Sequence, residues 1–161
     1  FIDDVARVQL NEKYNFIDTE GNLLSDQWFD RVDYFKNDFA MVYENAKYNF
    51  IDTEGKLLSY TWFDRVEYFL DGVAKVRLHY KYNFINTEGN LLSDIWFDFV
   101  SDVHDGFSKV KLNEKYNFID REGNILSEQW FNWASDFYNG FAEVRLDGTD
   151  YLVDTKGNIS R

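Results

Sequence analysis

The string Lys-Tyr-Asn-Phe-Ile starts at Lys13, Lys47, Lys81 and Lys115, and each step is 34 residues. A fixed period of that size restricts a chain to repeat architectures, in which one supersecondary unit buries its apolar surface against the next. Other columns keep the step: Gly21, Gly55, Gly89, Gly123 and Gly157; Ala6, Ala40, Ala74, Ser108 and Ala142; Val8, Val42, Val76, Val110 and Val144; Trp28, Trp62, Trp96 and Trp130. No insertion breaks the register between Ala6 and Gly157, and no linker or low-complexity tract intervenes. Residues 1–161 therefore read as a single repeat domain, with hairpin units at about 6–39, 40–73, 74–107, 108–141 and a partial one at 142–161.

Within one unit, Ala6-Arg7-Val8-Gln9-Leu10 alternates apolar and polar side chains, the period of a strand. Lys13-Tyr14-Asn15-Phe16-Ile17-Asp18 is rich in aromatic and β-branched residues and predicts a second strand. The two-residue gap is Asn11-Glu12 here and Asp147-Gly148 in the last unit, where both residues tolerate positive φ and favour a tight hairpin. Thr19-Glu20-Gly21-Asn22 predicts a turn, and Leu23-Leu24-Ser25 a short third strand. The segment Trp28–Phe35 has two readings. Trp28, Val32 and Phe35 share a helical face, yet the run is short, lacks a cap, and ends in later units at Asp71-Gly72, Asp105-Gly106 and Asn139-Gly140. A twisted or bulged strand is the expectation, and a single helical turn the alternative.

Pairing the hairpin about Asn11-Glu12 sets Leu10 against Lys13, Val8 against Asn15 and Ala6 against Ile17 on one side, with Tyr14 and Phe16 on the other beside Gln9 and Arg7. Both sides carry apolar surface. A lone hairpin cannot bury two faces, so neighbouring units must cover them. Five hairpins but four Trp-Phe segments are present, which suits an all-β array of hairpins stacked as an open solenoid; a closed five-bladed, propeller-like ring is the alternative. Exposed end units of an open array predict homo-oligomer contacts.

Composition narrows the function. Hydrophobic residues at 45% exclude a disordered chain. The absence of Cys removes disulfides, Cys-ligated zinc and thiol catalysis, and leaves the compartment open. A net charge of −12 repels phosphate backbones, so nucleic acid is a poor partner. No apolar run is long enough to insert in a membrane as a helix. The chain does not begin with Met, which points to processing or a longer parent.

The units resemble those of the bacterial WG-repeat proteins, which run Lys-Trp-Gly-Phe-Ile-Asp, a Gly-centred turn, an aromatic-Asp pair and Phe-x-x-Gly-x-Ala-x-Val. The matching residues are Lys47-Tyr48-Asn49-Phe50-Ile51-Asp52, Gly55, Trp62-Phe63-Asp64 and Phe69-Leu70-Asp71-Gly72-Val73-Ala74-Lys75-Val76. The namesake Trp-Gly is Tyr-Asn in the first four units and Asp150-Tyr151 in the fifth, so packing that relies on that glycine must be achieved another way. The resemblance implies an all-β module without catalytic activity, and it supplies no catalytic or ligand residues. A weaker likeness joins Tyr14–Gly21 to the aromatic hairpin repeats of cell-wall and glucan-binding proteins.

The residues themselves point the same way. His79 and His104 occupy non-equivalent positions, and no nucleophile elbow, phosphate-cradling loop or dinucleotide fingerprint is present. The chain is not expected to be an enzyme or to hold a cofactor or metal. Asp18, Asp52, Asp120 and Asp154 read as turn caps in preference to calcium ligands. The Trp column reads as core in preference to a sugar-stacking ladder. Columns that vary are free of scaffold duty: Arg31, Arg65, Phe99 and Trp133; Lys36, Leu70, His104 and Tyr138; Asp26, Tyr60, Asp94 and Glu128. Arg31, Arg65, Phe99, Trp133 and Tyr138 are the candidate binding residues, with Phe99, Trp133 and Tyr138 forming an aromatic patch. The expected function is a non-catalytic scaffold for protein or peptide partners, the acidic surface favouring basic or neutral ones. A carbohydrate-binding module using exposed aromatics and a structural spacer in a larger surface or secreted protein are the alternatives.

Overall fold

The computed structural model describes residues 4–161. Every described element is a β-strand or a turn. The first hairpin pairs β1 (Val5–Leu10) with β2 (Lys13–Asp18) in the register derived above, Leu10 against Lys13, Val8 against Asn15 and Ala6 against Ile17. Each later hairpin gains a strand from the segment that precedes it. Thus β3 (Arg31–Val32) joins β4 (Phe39–Glu44) and β5 (Lys47–Asp52); β6 (Arg65–Val66) joins β7 (Val73–Leu78) and β8 (Lys81–Asn86). Next, β9 (Phe99–His104) joins β10 (Phe107–Leu112) and β11 (Lys115–Asp120). Finally β12 (Trp133–Ala134) joins β13 (Phe141–Leu146), β14 (Thr149–Asp154) and β15 (Ile159–Ser160). The result is an all-β chain of tandem hairpin repeats in several small antiparallel sheets, none of which closes into a barrel among the described residues.

The hairpin turns hold two successive residues at positive φ: 48° and 65° at Asn11 and Glu12, 51° and 63° at Asn45 and Ala46, 48° and 83° at Asp147 and Gly148. This is the mirror-image turn whose twist matches the flanking strands. The second dipeptides, such as Asp71-Gly72 and Asn139-Gly140, adopt it too.

The Trp28–Phe35 segment is extended and crosses from one hairpin to the next. Phe29 bridges Tyr14 of its own hairpin, and two residues later Arg31 and Val32 pair with Tyr43 and Val42 of the following one. In the third connector the strand lengthens to six residues, with a register shift opposite Ser108 and Val110. The Leu23–Ser25 strand is reduced to one bridge, Ile17 to Leu23. Its next carbonyls are taken by a side chain: Asn15 Nδ2 donates to Ser25 O at 2.7 Å and Gln27 O at 3.2 Å.

Two compact units divide the chain, one running through His79 and taking Phe84–Leu91, the other formed by Tyr80–Asn83 and Leu92–Arg161. In the first, Phe16 and Phe29 of one repeat bury with Ala40, Val42 and Ile51 of the next. In the second, Phe118 and Phe131 bury with Ala142, Val144 and Val153. Each cluster thus joins two successive repeats, as the two-faced hairpin requires. Val42 and Val144 are fully buried, whereas their equivalent Val8, on a hairpin with no third strand, is half-buried.

Candidate binding face

Alternation along the connector strand decides which side chains are available. Val32, Val66, Val100 and Ala134 point inward and are buried. The residues just before them, Arg31, Arg65, Phe99 and Trp133, therefore stand on the outer face, and all four are exposed, Phe99 and Trp133 at 43% each. Opposite them across the ladder lie Tyr43, Arg77, Lys111 and Arg145. Three of the cations in these pairs rest on rings: Arg31 Cζ lies 5.8 Å from the Tyr43 ring, Lys111 Nζ 5.5 Å from Tyr116, and Arg145 Cζ 6.0 Å from Trp133.

Tyr138 lies on the same sheet as Trp133 but at its other end. It bridges Phe141, while Trp133 pairs with Arg145, four residues along β13 and about 13 Å away at ordinary strand rise. Glu143 and Ser135, joined by reciprocal backbone and hydroxyl hydrogen bonds, occupy the interval. All members of the second and third varying columns are exposed as well, Tyr60 completely.

The conserved-looking columns do the opposite work within the chain. The carboxylate of Asp18 accepts the N–H groups of Glu20 and Asn22 at 2.9 Å each, and its other oxygen accepts Asn22 Nδ2 at 3.0 Å. The same turn recurs at Asp52, Asn86, Asp120 and Asp154. These donors hold the Asp18 and Asp154 carboxyls below the usual carboxylate range, the Asn side chain contributing most. Turn capping is thus their observed role.

Two networks escape a reading by residue type. Asn15, Asn49, Asn83 and Asn117 are completely buried in mid-strand, each tying two connector carbonyls to its hairpin. The signal for this was a residue of poor strand propensity repeated four times in a strand. The asparagine side chain bonds the connector, which a glycine at that position has no side chain to do. The second network is ionic. Lys13 Nζ bonds Asp30 Oδ1 and Glu44 Oε1 at 2.7 Å each, and Asp30 Oδ2 accepts the Asn45 N–H at 2.9 Å. Lys47 with Asp64 and Lys81 with Asp98 repeat it, with the turn N–H groups of His79 and Asn113 as the second donors. Hydrogen bonding by the lysine, and then by the turn N–H, holds Asp30, Asp64 and Asp98 below the usual carboxylate range.

The Trp column is only half-buried; the fully buried connector aromatics are Phe29, Phe63, Phe97 and Phe131. Trp62 leans on Phe29 of the preceding repeat, ring centroids 6.5 Å apart. Beside it, in the first unit, a groove of about 810 Å³ runs past Gln27, Ser59, Tyr60 and Trp62.

Hairpins carried on crossing connectors, with successive repeats sharing a core within each unit, define a tandem β-hairpin repeat protein. The WG containing repeat model matches residues 16–48, 50–82, 84–116 and 118–149, and the chain belongs to that family. No curated protein matches it in sequence. Similar solved structures include Kluyveromyces lactis Hsv2p, at 10% identity over 98% of this chain and 59% of that one, TM-score 0.43. A eukaryotic initiation factor is similar at 11% over 92% and 47%, TM-score 0.48, and the computationally designed Ika4 protein at 13% over 74% and 87%, TM-score 0.41. The chain spans about three fifths of the length of the Hsv2 structures it matches.

Proposed function

We propose that the chain is a non-catalytic repeat scaffold that binds a protein or peptide through the outward connector residues. The supporting observation is the separation of duties between columns. Buried Phe and Asn columns hardly vary, while the exposed outer column passes from Arg31 and Arg65 to Phe99 and Trp133. A surface whose variation leaves the core untouched is free to be shaped by a partner. Large aromatics and arginines are also the residue types that anchor interfaces. The carboxylates of Asp18, Asp30, Asp64 and Asp98 are engaged in turns and connector links.

The test is Phe99→Ser with Trp133→Ser in the full chain, measured against a peptide selected from a display library. Binding falls about tenfold or more while the melting temperature stays close to that of the parent. Loss of stability with unchanged peptide affinity would show that these residues serve the fold. The carbohydrate reading draws on Tyr60 and Trp62 in the groove. A tryptophan fluorescence shift with oligosaccharides would favour it over the protein-partner reading.

A further inference from the structure

We propose that Arg65 and Arg77 form a receptor for an oxyanion, a carboxylate or phosphoryl group, carried by a partner. The proposal rests on the reading of the connector column as a display position and gives that column a chemistry. Arg65 on β6 lies directly opposite Arg77 on β7. The next pair, Val66 and Val76, is buried, so strand alternation sets both arginines on the outer face. Like charges directly opposite each other in a ladder are destabilising.

The equivalent position in each of the other repeats sets a single cation against a ring, and each of those cations has a partner. Arg31 meets the Tyr43 ring. Lys111, opposite Phe99, bonds Glu114 at 3.0 Å and meets the Tyr116 ring. Arg145, opposite Trp133, takes both oxygens of Asp150, at 2.6 and 3.2 Å. Among the described residues, Arg65 and Arg77 have no carboxylate within ion-pair distance and no ring contact. Arg77 Nε is enclosed and carries no hydrogen bond. In a chain with 29 acidic residues against 17 basic ones, two facing arginines without a carboxylate depart from the surrounding chemistry. An oxyanion between them would turn repulsion into two charge-assisted contacts, for which the planar guanidinium is well shaped.

The experiment titrates the full chain with inorganic phosphate and, separately, acetate, at ionic strength held constant with chloride. The readouts are the arginine Nε–H resonances and the melting temperature. Saturable shifts at Arg65 and Arg77 are expected, with a rise in melting temperature that Arg65→Gln removes and Arg31→Gln keeps. Arg65→Gln in chloride alone should melt no lower than the parent, because it relieves the repulsion. Response to phosphate alone assigns a phosphoryl ligand; response to both admits a carboxylate side chain. The proposal is overturned if neither anion binds saturably, if binding survives Arg65→Gln, or if that variant melts well below the parent in chloride. Such a failure leaves the peptide result at Phe99 and Trp133 untouched, and loss of that result leaves the anion titration intact.

Discussion

Replacing one glycine column by alanine separates what a repeat needs for its own turn from what it needs for its neighbour. Gly21, Gly55, Gly89, Gly123 and Gly157 all hold φ between 77° and 90°, where an L side chain costs about 1–2 kcal/mol. They differ in what a Cβ would meet. At Gly21 no atom of the other described residues would lie within 4 Å of it. At Gly55 the new atom falls 1.9 Å from the carbonyl oxygen of Leu24 in the preceding repeat, at Gly89 2.1 Å from Leu58 O, and at Gly123 1.8 Å from Leu92 O. Backbone cannot swing aside like the end of a side chain, so the turn must retreat from the preceding repeat by about 1 Å, an overpacking of the kind that costs about 1–3 kcal/mol or more. Gly21→Ala should therefore lose about 1–2 kcal/mol, and Gly55→Ala about 2–5 kcal/mol once the close approach is added. Gly157→Ala, at 2.6 Å from Leu126 O, should fall between them. Urea unfolding followed by tryptophan fluorescence gives the ranking from midpoints at constant slope. Equal losses at Gly21 and Gly55 would refute the claim that this column seats one repeat on another.

Ser108 stands where the other four repeats have Ala, is 2% exposed, and its Oγ has no hydrogen-bond partner among the described residues. Ser108→Ala should stabilise the chain by about 1 kcal/mol by removing a stranded hydroxyl, and calorimetry showing a lower melting temperature would contradict this. Ala46 occupies the second hairpin-turn position at φ 63°, where the last repeat has Gly148. Ala46→Gly should add about 0.5–1 kcal/mol, the relief of left-handed strain outweighing the extra freedom of the unfolded chain; a drop in urea midpoint would count against it. Acid sensitivity follows from the connector aspartates. Asp30, Asp64 and Asp98 titrate lower folded than unfolded, so the unfolded chain binds more protons as pH falls. Their contribution is intact above the unfolded value of about 3.9 and is lost as pH drops through the lower folded values. The urea midpoint should therefore fall below about pH 4, and the triple variant Asp30→Asn, Asp64→Asn, Asp98→Asn should flatten that fall; a parent midpoint that holds steady to pH 3 would remove the basis for it.

The hairpin register was legible because strand alternation and turn length act within a few residues: Asn11-Glu12 fixes the pairing of every residue from Val5 to Asp18. The connector was less so. Trp28, Val32 and Phe35 satisfy a helical spacing by coincidence, because Phe29 is committed to one hairpin and Val32 to the next. A segment shared between two partners carries no single period. The burial order of Trp28 and Phe29 was hidden for a similar reason, since it depends on which side of the connector faces the shared core. Outward columns could be picked out by their variation, but spacing alone could not separate Tyr138 from Trp133 along β13. The buried Asn column was present in plain view; its meaning required the carbonyls it reaches, ten and twelve residues away.

The connector also explains why so little of each repeat is available for recognition. Its backbone is used in both directions, Phe29 bonding back to Tyr14 and Arg31-Val32 forward to Tyr43-Val42. The intervening Asp30 reaches both ways as well, to Lys13 behind and to the Asn45 N–H ahead. The inward side chains Phe29 and Val32 are buried. Of these four consecutive residues, Arg31 alone has an exposed side chain, and its contact with the next repeat is with the Tyr43 ring and not a hydrogen bond or ion pair. The fourth connector makes the point by substitution: Asn132 replaces Asp and still accepts the Asp147 N–H at 2.8 Å, so the linking position tolerates loss of charge but keeps its acceptor. The outward position changes freely, from Arg to Phe to Trp. On the proposed reading, position 31 and its equivalents add one outward connector residue per repeat to the exposed second and third varying columns, and specificity would come from the order of these residues along the chain.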